Sequence, residues 1–302
     1  MKIISQNPPQ YEWGPFPFGE GTRILDIRFD PVFKAVFTRD TVKSRGALSD
    51  LISALIGRIV AVETIVANEP PIDDLRQRYL RFDVACKTEK GEPVNVEMSF
   101  NPRASEPMRL EYHAARLFTG QDIHGKDKRY NDLKETYQIA ILAKGMFFPD
   151  KSLIHTFLYY DPDTRVSLGG KTRIITVELV KTKPIAEKAV EEMTNAELWA
   201  VFFQYLTDEE KRAKILQIIN HEEGIAMAVD TLIHFTQDEI EYARQSSLLK
   251  GELDWQSEMA DAKLSGRNEA NLENARKMKA DNMSVSQISK YTGLPTETIA
   301  RL

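Results

Sequence analysis

Two runs of alternating residues, RYLRFDVACKT at 78–88 and PVNVEMSF at 93–100, constrain this chain more than any other feature. Each has the period of two that a strand imposes, because successive side chains leave a strand on opposite faces. Glu89, Lys90, Gly91 and Glu92 separate them, and Gly91 supplies the positive φ that a short hairpin loop needs. A loop centred on Lys90 sets Asp83 against Glu97. Arg81, Asp83, Ala85 and Lys87 then share one face with Asn95, Glu97 and Ser99. The other face is apolar, carrying Val84, Cys86, Val94, Val96 and Met98.

Carboxylates directly opposed across two strands repel. A divalent cation between them removes that penalty. Mg²⁺ takes hard oxygen ligands and needs only one or two carboxylates, with waters and substrate phosphate completing its shell. Such a site activates water and stabilises the charge of an attacked phosphodiester. The plain alternative is a solvated polar face that happens to hold two acids. A slip of one residue in register would also send the acids to different faces.

The surrounding pattern predicts a mixed α/β sandwich. Val32, Phe33, Val36 and Phe37, then Leu48, Leu51, Ile52 and Leu55, recur at helical spacing over 31–57, with a break at Gly46 and a stop at Gly57. IVAVETIVAN at 59–68 reads as a strand. After the hairpin, a helix is expected over 104–121, with Met108, Tyr112, Ala115 and Phe118 as one stripe. Strands follow near 135–148, 155–161 and 172–180. Beyond Pro184 helical patterns dominate, including AELWAVFFQYL, KRAKILQII and a long charged stretch over 237–280. NMSVSQISKYTGLPTETIARL reads as two short helices turned at Gly293 and Pro295. Residues 1–22 are an irregular arm that could pack through Trp13, Phe16 and Phe18.

Composition is that of a globular protein, 42% hydrophobic and 28% charged, and the net charge of −5 argues against broad non-specific phosphate binding. The single cysteine, Cys86, sits in an apolar run and is expected in the core. The five histidines (His113, His124, His155, His221 and His234) show no paired metal spacing, and none is assigned as a ligand. The first residues lack the apolar run of about 7–15 residues that a secretory leader carries. No window approaches the roughly 18 apolar residues of a membrane span. A cytoplasmic location without membrane contact is the expectation.

The sequence resembles the PD-(D/E)XK nuclease family transposases, related to the Rpn recombination-promoting nucleases. The matching pieces are FDPVFKAVF at 29–37, RFDVACKTEKGEPVNVEMSF at 81–100, YHAARLFTGQ at 112–121, RYNDLKETYQIAILAKGMF at 129–147 and the tail ISKYTGLPTETIARL. The resemblance implies a restriction-endonuclease-like core of mixed sheet flanked by helices, over 23–184, followed by an all-α C-terminal region over 185–302. It implies that Asp83 and Glu97 ligate the metal, Mg²⁺ or Mn²⁺. The family's third motif position is commonly Lys or Gln and falls on Ser99, which cannot supply positive charge. Lys34 matches a lysine of the family's first helix and could take that part, while Asp30 is placed to cap the helix.

The expected function is Mg²⁺-dependent DNA endonuclease action related to transposition or recombination, with Asp83, Glu97, Ser99 and Lys34 at the reacting centre. The rival reading is a catalytically inactive nuclease fold acting as a DNA-binding or protein-interaction module. DNA is the expected partner. Arg109 and Arg116 on the helix after the hairpin, and Lys277 and Lys290 near the C-terminal hairpin, are candidate phosphate contacts. The C-terminal helices could also form a homo-oligomer.

Overall fold

The computed structural model describes residues 14–15, 23–66, 83–123, 128–235, 266–267 and 269–302. Trp13, Phe16 and Phe18 lie outside the described residues, as do 237–265 and 268 of the charged stretch. Strand β1 (Gly14–Pro15) pairs antiparallel with β2 (Arg23–Ile24).

Helix α1 (Asp30–Thr38) buries Val32, Phe33, Val36 and Phe37, and α2 (Val42–Ile56) buries Ala47, Leu48, Leu51, Ile52 and Leu55. The break between them falls at 39–41 and not at Gly46, which corrects the sequence expectation. Thr41 caps α2 by accepting the Ser44 N–H. Gly46 lies inside α2 because a Cβ there would sit 2.7 Å from Met227 Sδ. Its role is close approach of two helices, not a break. Gly57 ends α2 with φ 81°, the left-handed cap expected of it.

Six strands form one mixed sheet in the order β3-β4-β5-β6-β8-β7. They are β3 (Val62–Val66), β4 (Val84–Thr88), β5 (Pro93–Ser99), β6 (Thr136–Leu142), β7 (Ile154–Phe157) and β8 (Thr172–Glu178). The hairpin ladder pairs Val84 with Val96, Ala85 with Asn95 and Cys86 with Val94, which is the expected register. The Thr88 N–H donates to the Glu92 carbonyl at 3.1 Å, leaving 89–91 as the loop with Gly91 at φ 73°. β5, β6 and β8 run parallel. Parallel neighbours need a crossover, and α3 (Glu106–Thr119) supplies the one between β5 and β6.

The apolar sheet face is covered by α1 and α2, and α4 (Asn195–Tyr205), α5 (Arg212–His221) and α6 (Glu223–Ile233) extend the same buried cluster. One buried cluster joins Val96, Ile139 and Val177 of the sheet to Phe33, Leu48, Trp199, Phe203 and Val229 of these helices. The composition shift after Pro184 thus marks a change from strand to helix within one packed core. Helix α6 is an addition to the sequence reading.

Helix α3 covers the other face. Its buried residues are Glu106, Leu110, His113 and Ala114. The stripe read from the sequence faces outward, with Met108 75% exposed and Tyr112 exposed. The reason is electrostatic: the sheet face beneath α3 carries Glu97, and α3 turns its polar residues toward it.

The C-terminal residues form a small unit of their own. α7, described over 269–280, packs with α8 (Val285–Thr292) and α9 (Thr296–Arg301) around Ala275, Ile288 and Ile299. Ser284 and Gln287 make a capping box at the start of α8, and Gly293 ends it with φ 71°. Lys279 Nζ donates to the carbonyls of Ile299 and Ala300, which holds α9 against α7.

Gly224 offers the sharpest packing test. A Cβ there would lie 2.3 Å from Asp50 Cγ, and Asp50 accepts the indole N–H of buried Trp199 at 2.7 Å. Gly224→Ala should destabilise by about 1–3 kcal/mol through overpacking, despite the better helix propensity of alanine. The midpoint of urea unfolding measures this, and an unchanged or raised midpoint would contradict the packing described.

Candidate active site

Glu97 sits in β5, flanked by β4 on one side and β6 on the other, and is 2% exposed. A carboxylate so buried must be matched by donors. Arg109 Nη1 of α3 pairs with Oε1. His113 Nδ1 lies 3.2 Å from Oε2, and Gln138 Nε2 donates to the same oxygen at 3.3 Å. Gln138 in turn accepts from Asn95 Nδ2 at 2.9 Å. The chain Asn95–Gln138–Glu97 therefore crosses two strands and fixes the carboxylate rotamer.

Asp83 immediately precedes β4 and is 8% exposed. Its Oδ2 accepts the Met98 N–H at 3.2 Å, which holds it beside the Glu97 strand. Lys34 Nζ reaches from α1 to lie 3.2 Å from Asp83 Oδ1 and 3.4 Å from Asp30 Oδ1. Asp30 is the first residue of α1, with Phe29 at the cap position and no side-chain capping bond. Its carboxylate lies near the positive end of the helix and one turn from Lys34.

Arg109 also forks onto Glu106, with Nη2 2.7 Å from Oε1. Burial acts to lower its pKa, but Glu97, Glu106 and Asp83 outweigh this and hold the guanidinium firmly charged. The repulsion expected between the two acids is thus offset by protein cations: Lys34 at Asp83 and Arg109 at Glu97.

Ser99 lies on β5 two residues beyond Glu97, on the same face. No hydrogen bond of its hydroxyl is recorded among the described residues. Arg116 is exposed on α3. Lys277 is exposed on α7, 2.7 Å from Glu273, and Lys290 is exposed on α8. The structure therefore brings Asp83, Glu97, Ser99, Lys34 and Arg109 together, and leaves Arg116 at the surface.

His113, Gln138, Asn95 and Glu106 were not read from the sequence as site residues. Gln138 had a signal: it is a polar residue inside the apolar strand TYQIAIL. His113 had none, because its pairing with Glu97 depends on how α3 lies on the sheet.

Asp83, just before β4, and Glu97, in β5, carry hard oxygen donors of the kind Mg²⁺ and Mn²⁺ take. Among the described residues no group of three or more His, Cys, Asp or Glu has a metal-holding arrangement. Magnesium does not require one, and two carboxylates are donors of the kind it takes.

Arg109→Ala leaves Glu97 and Glu106 without their shared cation. Breaking a fully buried pair costs about 3–5 kcal/mol. The Arg109 side chain is 42% exposed, and solvent screening brings the expected loss to about 1–2 kcal/mol. Urea unfolding at pH 7 in metal-free buffer tests this. Adding Glu97→Gln to Arg109→Ala should recover part of the loss, and an unchanged single-mutant midpoint would show that Glu97 is neutralised without Arg109.

Among the described residues no helix is long and apolar enough to cross a membrane. No curated protein and no solved structure matches the chain. The sequence model of the PD-(D/E)XK nuclease family transposases matches residues 27–262, which takes in the whole sheet, the helices on both of its faces and the acid pair, and ends before the C-terminal hairpin. With its restriction-endonuclease-like sheet and flanking helices, the chain belongs to the PD-(D/E)XK nuclease family transposases.

Proposed function

We propose that this chain is a divalent-metal-dependent DNA endonuclease acting in transposition or recombination. The observation that supports the reading is that Asp83 and Glu97 are both buried in a nuclease-family fold, with Asp83 held to the Glu97 strand through the Met98 N–H. Divalent metals are the general cofactors of that family. Asp83 and Glu97 are the residues that would hold Mg²⁺ or Mn²⁺. When bound there, the ion would supply Lewis-acid stabilisation of the phosphodiester and activation of a water.

The chain's own residues divide the remaining work. Gln138 orients the Glu97 carboxylate by donating to it. Lys34 places a positive charge beside Asp83, where it can offset charge developing on phosphate oxygens. The Ser99 hydroxyl can hydrogen-bond a water or a phosphate oxygen but carries no charge. Arg116, Lys277 and Lys290 are exposed cations available to the DNA backbone. The strand-rich part, 23–184, carries the chemistry, and the C-terminal hairpin adds DNA or partner contacts.

Ser99 supports a second reading. Without a lysine or glutamine at that position the fold could serve as a DNA-binding module with no turnover. Cleavage of supercoiled plasmid separates the two. Wild type should nick with Mg²⁺ or Mn²⁺, and Asp83→Ala and Glu97→Ala should each lose that nicking. Failure of all three proteins across several metals and substrates would favour the binding module. Equal nicking by all three would remove the hairpin acids from the reaction.

A further inference from the structure

We propose that a cavity beside the acid pair binds a single unstacked nucleobase, so that the preferred substrate is single-stranded or locally unpaired DNA. The proposal rests on the DNA reading above and refines it.

The cavity encloses about 230 Å³ between α3, the loop after β6, β7 and β8. That is below the roughly 300–1,000 Å³ of sites for drug-sized ligands, and it suits one ring system. Its floor is Leu110, Leu142 and Ile174, and its walls are Phe147, Phe148, Phe157 and Tyr159. Aromatic side chains are sequence-tolerant platforms for unstacked bases.

The cavity is adjacent to the proposed reacting centre. Thr176 on its lining pairs in register with Ala140, and Ala140 with Glu97. Two strand spacings separate them, about 10 Å, within reach of a neighbouring nucleotide. Glu106 links the two places directly: it lines the cavity and bonds Arg109, which pairs with Glu97.

One polar group identifies the occupant. Thr176 is 1% exposed, and its hydroxyl has no hydrogen-bond partner among the described residues. A buried unsatisfied hydroxyl is costly. An aliphatic or lipid occupant would leave it so. Rotation of the Thr176 side chain toward the cavity would let a base edge satisfy it, since hydroxyls donate or accept and base edges offer both groups. The Glu106 and Glu111 carboxylates add acceptors for an exocyclic amine.

The walls are held in advance of binding. Buried Glu178 accepts the Phe147 N–H at 2.6 Å and pairs with Lys181. At Gly170 an added Cβ would lie 2.9 Å from the Tyr159 ring, so only glycine lets that ring lie against the backbone. Extruding a base from a duplex costs a few kcal/mol, and an unpaired base avoids that cost.

The test uses the full chain carrying Asp83→Ala, so that DNA stays intact, and a single-stranded oligodeoxynucleotide with one 5-iododeoxyuridine. Photocrosslinks are mapped by mass spectrometry, and binding is followed in parallel by anisotropy of a labelled oligonucleotide. The expected result is an adduct on Tyr159, Phe157 or Phe148. Its yield should fall at least about 5-fold in Thr176→Val and in Tyr159→Ala, each of which must retain the parent melting temperature. Loss of one stacking platform should weaken affinity by roughly 5-fold or more. Saturable anisotropy with adducts confined to other segments overturns the pocket and leaves the DNA reading intact. An absence of saturable binding to either single-stranded or duplex DNA overturns the pocket together with the DNA reading. Binding to duplex alone overturns only the pocket.

Discussion

A carboxylate buried inside a sheet must have its charge answered, and at Glu97 that requirement organises one side of this molecule. Arg109, His113 and Gln138 all converge on it. Helix α3 buries Glu106 and His113 in place of an apolar stripe because its positions facing β5 have this charge to meet. Gln138 is then steadied by Asn95, whose own Oδ1 has no hydrogen-bond partner among the described residues. The order of cause runs from one acid to two polar strand residues, and then to the rotation of a helix about its axis.

The two sheet faces consequently do different work. On one, α1, α2 and α4 to α6 share a large apolar cluster that includes Trp199 and several phenylalanines. On the other, the buried apolar residues are few, with Leu110, Ala140 and Leu142 as the cluster. Stability concentrates on the first face, while α3 is held by ion pairs, hydrogen bonds and a modest apolar contact. Regions that open at low free energy are those with little buried apolar contact, so the polar face is where local rearrangement is least costly.

Much of this was legible in the sequence because period-two runs and a glycine loop favour one register over a slip. The hairpin, the mixed sheet and the left-handed caps at Gly57 and Gly293 follow from local chemistry of that kind. Two of the errors share a physical origin. Gly46 reads as a break, yet its missing side chain is needed by Met227, distant in sequence. Met108 and Tyr112 read as part of one helical stripe, yet the side of α3 that goes inward is chosen by Glu97 across a crossover. Periodicity reports which residues share a face. It cannot report which face a charge elsewhere will attract.

The hairpin that carries both acids is pinned from two sides. β5 is tied to β4 by its antiparallel ladder and, along Val94–Ser99, to β6 by a parallel one. For β5 to slide against β4, it would have to give up its pairing with β6 as well. Residues added to the loop at 89–91 would bulge outward and leave Glu97 where it is. A residue added or removed within β5 could not be absorbed this way, since it would turn the strand's remaining side chains over and exchange Glu97 for a hydrophobe. Tolerance to changes in chain length therefore stops sharply at Pro93.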